Sequence, residues 1–231
     1  MSKFANFRAR KRDWGLKRAL HWEQMNLLAK LGIHIHYVDV GASIRQIVGE
    51  EEPEVPPGYE TRMVGIDDLL RYADRVPDLS REFLETAFGR GDIGSANFYA
   101  DELVGFAFWS YTRARVTDQL DVLVPEGFRY GYKAWTHPNH RRANLSSMRS
   151  YVRRRTMRTP QEERVISYTE THNYPSLLHG YQRPSMRSLR MGFCGWITVF
   201  GRQIPLNSRR ARWIGLEFIR REDQRRRQYV W

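Results

Sequence analysis

The stretch that most constrains the fold of this chain runs from Gly131 to Arg155. It begins inside the aromatic run 128–135, which predicts a strand. The Thr-His-Pro sequence at 136–138 ends that strand, because a proline pushes the residue before it out of the helical region. A basic turn at 140–144 follows, and apolar residues then recur at helical spacing, namely Leu145, Met148 and Val152. The sequence therefore predicts a strand, a basic turn and a helix in immediate succession.

This order of elements suits a phosphate group. At the start of a helix the backbone N–H groups have no partner within the helix, and the helix dipole is positive there. Arg141 and Arg142 stand in the turn and can add charge-assisted hydrogen bonds to phosphate oxygens. We therefore expect a phosphate-bearing cofactor at this turn. The alternative interpretation is that both arginines are solvated turn residues.

Composition narrows the class of protein. With 231 residues, of which 41% are hydrophobic and 13% aromatic, the chain is expected to be globular and to bury a core. It has 28% charged residues and no long apolar run, which argues against a transmembrane helix. The basic N-terminus is not followed by the apolar segment of a secretory signal, so a cytoplasmic protein is expected. One cysteine, Cys194, can form neither an internal disulfide nor a thiolate metal site.

The net charge of +12 favours an anionic partner. Basic residues concentrate at 3–18, 141–158 and 209–227, whereas acidic residues cluster at 50–54. Nucleic acid, an anionic membrane surface and a phosphorylated cofactor all fit this distribution. Charge alone does not choose among them.

The rest of the chain predicts a mixed order of helices and strands. We expect helices at 16–31, 66–73, 81–88 and 175–189, the last broken at 183–184 and restarted by Ser185, and strands at 34–40, 59–64, 93–99, 103–111, 165–169 and 196–200. An acidic, proline-rich linker at 50–58 separates a helix-strand extension, 1–49, from the main domain, 59–205. Residues 206–231 form a basic C-terminal tail.

The element order resembles the GNAT superfamily of acyl-CoA-dependent N-acetyltransferases over residues 59–202. The family's cofactor motif, Arg/Gln-x-x-Gly-x-Gly/Ala, falls on 141–146. Arg141 matches its first position, whereas Asn144 and Ser146 stand where the family has glycine and glycine or alanine. Asparagine is the next-best residue for a left-handed backbone. The Met-Gly-Phe sequence at 191–193 is similar to a later step of the family, the Leu-Gly-Phe that precedes its last strand.

The resemblance implies a fold and an activity. The expected fold class is α/β (α+β), a mixed, mostly antiparallel central sheet flanked by helices. In this sheet a parallel pair of strands, 128–135 and 165–169, would splay apart to admit the pantetheine arm. The implied activity is direct transfer of an acetyl or other acyl group from acyl-CoA to an amine acceptor, most simply a small molecule.

The resemblance also assigns roles to residues. Tyr181 would reprotonate the thiolate, with Tyr174 as a competitor, and Glu170 would be the general base unless it is an ordinary strand-end carboxylate. The residues expected to bind the cofactor are Ala134, Trp135, Thr136, Arg141, Arg142, Ala143, Asn144, Leu145, Ser146, Asn173 and Ser176.

The histidines match no metal-binding spacing, so no metal is expected.

Two other classes of function stay open. A basic nucleic-acid-binding protein is the less favoured alternative, since no DNA or RNA motif is recognisable. A GNAT-like module without catalysis is the other, because both motif glycines are replaced. A homodimer is compatible with the sequence.

Overall fold

The computed structural model describes residues 3–43, 52–157, 164–174, 177 and 186–221. The chain divides into two compact units. The first takes the described parts of Met1–Gly41, Arg115–Pro125 and Ile166–Trp231, and the second those of Ala42–Ala114 and Glu126–Val165. The predicted domain limits at 49, 58 and 205 stay predictions.

Helices and strands alternate along the chain. The helices are α1 (Lys3–Trp14), α2 (Leu16–Lys30), α3 (Ile66–Leu70), α4 (Arg81–Gly89), α5 (Leu145–Met157) and α6 (Arg209–Trp213). The strands are β1 (Ile33–Ser43), β2 (Tyr59–Val64), β3 (Ile93–Tyr99), β4 (Glu102–Ser110), β5 (Arg113–Arg115), β6 (Leu120–Leu123), β7 (Phe128–Thr136), β8 (Arg164–Glu170), β9 (Met186–Val199), β10 (Arg202–Asn207) and β11 (Glu217–Arg220).

The second unit is built on an antiparallel meander in the order β7-β4-β3-β2. The β3–β4 hairpin closes through Ala100 and Asp101, which have positive φ values of 48° and 62°, the backbone that a tight two-residue turn requires. Helix α5 packs against β2 and β3. Helix α4 is capped by Ser80, whose side chain accepts a hydrogen bond from the Phe83 N–H at 3.1 Å. Phe106 and Phe108 are fully buried in the core of the second unit.

The first unit combines strands from both ends of the chain. Strands β9 and β10 pair antiparallel, β1 lies between β9 and β8, and β6 pairs antiparallel with β11 in a separate sheet. Gly195 on β9 passes so close to β1 that a Cβ there would lie 1.9 Å from the carbonyl oxygen of His34. Its core contains Ile166, Leu216 and Phe218, each at most 1% exposed.

Most predicted elements are confirmed, including the strands at 34–40, 59–64, 93–99 and 103–111. The fold class, α/β with a mostly antiparallel sheet and flanking helices, is confirmed as well. The strands predicted to splay apart, β7 and β8, belong chiefly to different units, and the splay stays a prediction.

The predicted helix 175–189 is wrong at its C-terminal end. Its restart at Ser185 is replaced by β9, which begins at Met186 and includes the predicted strand 196–200. Where the helix was predicted to restart, β9 lies beside β1 in the sheet, and Nε of Arg190 donates to Oδ1 of Asp39 on β1 at 3.2 Å, so cross-strand pairing overrides the local helical spacing. Residues 175–176 and 178–185 lie outside the described part.

No helix in the described ranges is long and apolar enough to cross a membrane.

Candidate cofactor site

Nine of the predicted cofactor-binding residues lie along one continuous path in the second unit. Ala134, Trp135 and Thr136 form the end of β7, a turn follows, and Leu145 and Ser146 open α5. The side chains that reach solvent are those of Ala134, Arg141, Arg142, Asn144 and Ser146, whereas Leu145 is only 2% exposed. The buried leucine fixes the start of the helix while the residues around it face outward.

The turn has a left-handed backbone at two positions. Arg142 has φ 69° and Asn144 has φ 54°. Asn144 is the residue that stands in place of the motif glycine, and asparagine is the side chain that tolerates this conformation best after glycine. The replacement of glycine by asparagine is therefore compatible with the conformation that the turn adopts.

Side-chain hydrogen bonds tie the turn to the rest of the unit. The Asn144 Nδ2 donates to the carbonyl oxygen of Glu54 at 3.0 Å. The hydroxyl of Tyr59 and Nδ1 of His140 lie 2.8 Å apart, and the His140 ring packs edge-on against the Tyr59 ring. The conformation of the turn is thus held by β2 and by the segment before it.

Helix α5 offers a favourable end to an anion. Its first turn contains no acidic residue and its last turn contains Arg154 and Arg155, a distribution that leaves the positive end of the dipole uncompensated. The first N–H groups of any α-helix lack intrahelical acceptors. Arg141 and Arg142, both exposed, stand a few residues before these N–H groups. The first turn of α5 has no carboxylate that would repel an anion bound there.

A buried arginine fixes the geometry between β7 and α5. Arg149 is 2% exposed, and its guanidinium donates to the side-chain oxygen of Asn97 on β3 and to the Thr136 hydroxyl at 3.2 Å. Burial lowers the pKa of Arg149 to about 10, so the group remains charged at neutral pH. One side chain therefore connects the helix, the end of β7 and the strand two places away in the sheet.

The guanidinium fits only because Gly105 lies beneath it. A Cβ at Gly105 would stand 2.5 Å from Nη1 of Arg149 and 3.0 Å from Oδ1 of Asn97. Contacts that short do not occur between real atoms, so any side chain at this position would displace Arg149. The glycine is required by close approach, not by backbone conformation.

Strand β7 carries a β-bulge just before its end. Phe106 of β4 pairs with Trp135 and Phe108 pairs with Tyr132, so Lys133 and Ala134 together face the single residue between them. Lys133 has φ 50°. A bulge leaves backbone groups outside the ladder, which makes them available to a ligand.

Sequence reasoning missed Arg149, Gly105 and the bulge. Arg149 follows Leu145 by four residues, which puts it on the buried face of α5, and a charged residue on an apolar face was the signal that could have identified it. Gly105 inside an apolar strand is a recognised sign of close backbone approach. The bulge left no comparable pattern.

The remaining predicted residues belong to the first unit or lie outside the described part. Glu170 ends β8, and its side chain is half exposed, with Oε2 3.8 Å from Nε2 of His172. Asn173 follows in a turn whose backbone N–H donates to the Glu170 carbonyl at 2.9 Å. The competitor Tyr174 packs against Trp14, with ring centroids 5.5 Å apart. Ser176 and Tyr181 lie outside the described residues.

The first unit also holds a group of imidazoles. His34, His36, His172 and Glu170 line one small pocket. His36 is 6% exposed, and burial lowers its pKa to about 4, while burial also lowers the pKa of His172. Within the described ranges, no three histidine, cysteine, aspartate or glutamate side chains are arranged to hold a metal ion.

No protein-family model matches the chain, and no curated protein sequence is significantly similar to it. Solved structures with a similar course include a tandem GNAT protein from the clavulanic acid biosynthesis pathway, at 16% identity and TM-score 0.44, covering 73% of this chain and 56% of that one. A GCN5-related N-acetyltransferase from Kribbella flavida matches at 13% identity and TM-score 0.39, over 74% of this chain and 62% of that one.

A third is an aminoglycoside acetyltransferase from an uncultured soil metagenomic sample, at 10% identity and TM-score 0.39, covering 55% of this chain and 88% of that one. Two of these three structures carry the GNAT or GCN5-related name, and two are named as acetyltransferases. The chain spans little more than half the length of the first of them.

Proposed function

We propose that the chain is an acyl-CoA-dependent N-acyltransferase that moves an acetyl or other acyl group directly to an amine. The observation that carries the proposal is the left-handed backbone at Asn144, φ 54°, directly before the first residue of α5. A left-handed residue directly before a helix is the backbone arrangement in which successive N–H groups can face one anion, which is what binding of a pyrophosphate needs. The exposed Arg141 and Arg142 supply positive charge at the same turn.

The acyl end of the cofactor would lie at the end of β7. Backbone groups left out of the ladder by the bulge at Lys133 and Ala134 can pair with the pantetheine arm. An N–H group from this segment can also donate to the thioester carbonyl oxygen as it gains negative charge. The proposal therefore places the phosphates and the thioester about ten residues apart along one strand–turn–helix path, 134–146.

In the proposed reaction the amine nitrogen attacks the thioester carbonyl carbon, and the C–S bond breaks as the new C–N bond forms. The amine proton passes to Glu170, directly or through water, and the departing thiolate takes a proton from Tyr181. The position of Glu170 at the end of β8, with a half-exposed side chain that an acceptor can reach, supports its assignment as the base. A small-molecule amine is the proposed acceptor.

A thermal-shift titration with acetyl-CoA tests this function. A ligand at 100 times its Kd adds about 2.7 kcal/mol of stability, which raises the Tm of a chain this size by about 5–10 °C. We expect Arg141→Glu to abolish the shift. Arg155→Glu, at the exposed far end of the same helix, changes the net charge equally and should preserve it.

The other classes of function give different results. If no acyl-CoA shifts the Tm while RNA is retained in a salt-sensitive way, the chain is a nucleic-acid-binding protein and the proposal is wrong. If acetyl-CoA binds but no free thiol is released with a broad panel of amines, the chain is a binding module without catalysis.

A further inference from the structure

Helix α2 has one apolar face that packs inside the first unit. Ala19 is fully buried, and the Trp22 ring lies edge-on to His172 with centroids 6.1 Å apart. Met25 and Ala29 line the small pocket in this unit. These residues account for the packing that holds the helix in place.

A second apolar face lies on the opposite side of the same helix. At 100° per residue, four leucines fall within an arc of about 60°, roughly opposite Ala19, Trp22 and Met25. Their exposed fractions are far above those of core leucines: Leu16 49%, Leu20 47%, Leu27 60% and Leu31 64%. We call these four residues the leucine face; it extends about 22 Å along the helix. The exposed Glu23 and Gln24 separate Leu16 and Leu20 from Leu27 and Leu31, so the face consists of two leucine pairs on one side of the helix. Exposed apolar side chains grouped in this way mark an interaction site.

The helical segment that carries the leucine face is strongly basic. Residues 3–31 contain eight lysines and arginines against two acidic residues. Both acidic side chains are already paired, Asp13 with Arg12 at 3.0 Å and Glu23 with Arg10 at 3.1 Å. On the helical wheel Lys17 and Lys30 lie on either side of the leucines, and both are exposed.

We propose that the leucine face docks on the surface of an anionic phospholipid membrane. Helix α2 would lie in the plane of the membrane, with its leucines among the upper acyl chains and its flanking lysines at the headgroups. Basic residues near an anionic leaflet are each attracted to it, and the eight basic and two acidic residues of this segment leave a net charge of +6 that favours the attraction. The inference is independent of the acyltransferase function.

The same charge disfavours a second copy as the occupant. Two leucine faces placed together would bring two segments of the same positive sign into contact, which costs binding energy. A stable dimer buries roughly 800 Å² on each partner, more than four half-exposed leucines offer. An anionic lipid surface satisfies both the apolar face and the basic flanks.

Vesicle sedimentation with the full chain tests the proposal. We expect binding to vesicles of phosphatidylcholine mixed with phosphatidylglycerol, little binding to phosphatidylcholine alone, and a decrease as salt is added. The double substitution Leu20→Ser/Leu27→Ser should lower the partition coefficient at least about tenfold. Leu189→Ser, at a residue 65% exposed on β9, is the matched control and should bind as the unmodified chain does. Lys17→Glu/Lys30→Glu should weaken binding without removing the leucines.

Several outcomes would overturn it. These are failure to bind anionic vesicles, equal binding of the leucine variant, and equal binding of the lysine variant. A dimer in sedimentation equilibrium that Leu20→Ser/Leu27→Ser dissociates would assign the face to a second copy instead. Far-UV circular dichroism identifies any variant that has lost its helices, and for such a chain the single substitution Leu27→Ser gives the decisive comparison.

Discussion

Each unit buries a basic side chain, and the two units treat its charge differently. In the second unit Arg149 is 2% exposed and keeps its charge, with Asn97 and Thr136 accepting its hydrogen bonds. In the first unit His36 is 6% exposed and stacks on Trp196, with ring centroids 5.3 Å apart. Its pKa of about 4 leaves it neutral at pH 7.

The difference follows from the intrinsic basicity of the two groups. Burial lowers the pKa of both, because it disfavours the charged form. The ordinary pKa of a guanidinium is so high that Arg149 stays charged at neutral pH even after burial has lowered it. The charged group can then hold three elements together with directed hydrogen bonds. The ordinary pKa of an imidazole is already near 6.5, so burial leaves His36 neutral, and it stabilises the first unit by packing against aromatic rings. The charged anchor accordingly joins α5 to the end of β7 and to β3.

The largest effect is expected from removing the charged anchor. Arg149→Ala leaves the Asn97 and Thr136 oxygens without a donor and opens a cavity, and should cost about 3 kcal/mol of unfolding free energy. Urea denaturation measures this loss. Arg155→Ala, exposed on the same helix, should change stability by less than about 0.5 kcal/mol. Equal losses in the two variants would remove the distinction between the anchor and an ordinary surface arginine.

The second effect concerns His36. Its pKa is lowered from 6.5 to about 4 on folding, so the unfolded chain binds the extra proton between these values. The stability present above pH 6.5 is therefore lost as the pH falls towards 4, by about 3 kcal/mol. Urea titrations at several pH values measure this slope, and His36→Gln should reduce it. An unchanged slope in His36→Gln would mean that His36 is protonated in the native unit.

A smaller effect should follow from Gly105→Ala. The new Cβ would displace the Arg149 guanidinium, at a cost of about 2 kcal/mol. Gly89→Ala is the matched control, since no atom lies within 4 Å of its added Cβ, and it should be neutral or slightly stabilising. If both substitutions proved neutral, the Arg149 guanidinium could move away from a Cβ at position 105 at no cost, and Gly105 would not be required for its packing.

Local patterns predicted the elements of the cofactor region well. Alternating aromatic residues predicted β7, the proline at 138 predicted its end, and the spacing of Leu145, Met148 and Val152 predicted α5. What the sequence did not predict depends on contacts distant along the chain. Arg149 finds its partner on β3, 52 residues earlier, and Arg190 on β9 bonds to Asp39 on β1, 151 residues earlier. Neither partner can be identified from a window of a dozen residues.

The role of Asn144 is the most direct test of the cofactor site. Isothermal titration with acetyl-CoA should show binding to the unmodified chain and to Asn144→Gly, because glycine also adopts φ 54°. Asn144→Val should lose binding, since a β-branched residue is strongly disfavoured in that conformation. Binding of acetyl-CoA to Asn144→Val as tightly as to the unmodified chain, or no binding to any of the three, would contradict a phosphate site at this turn.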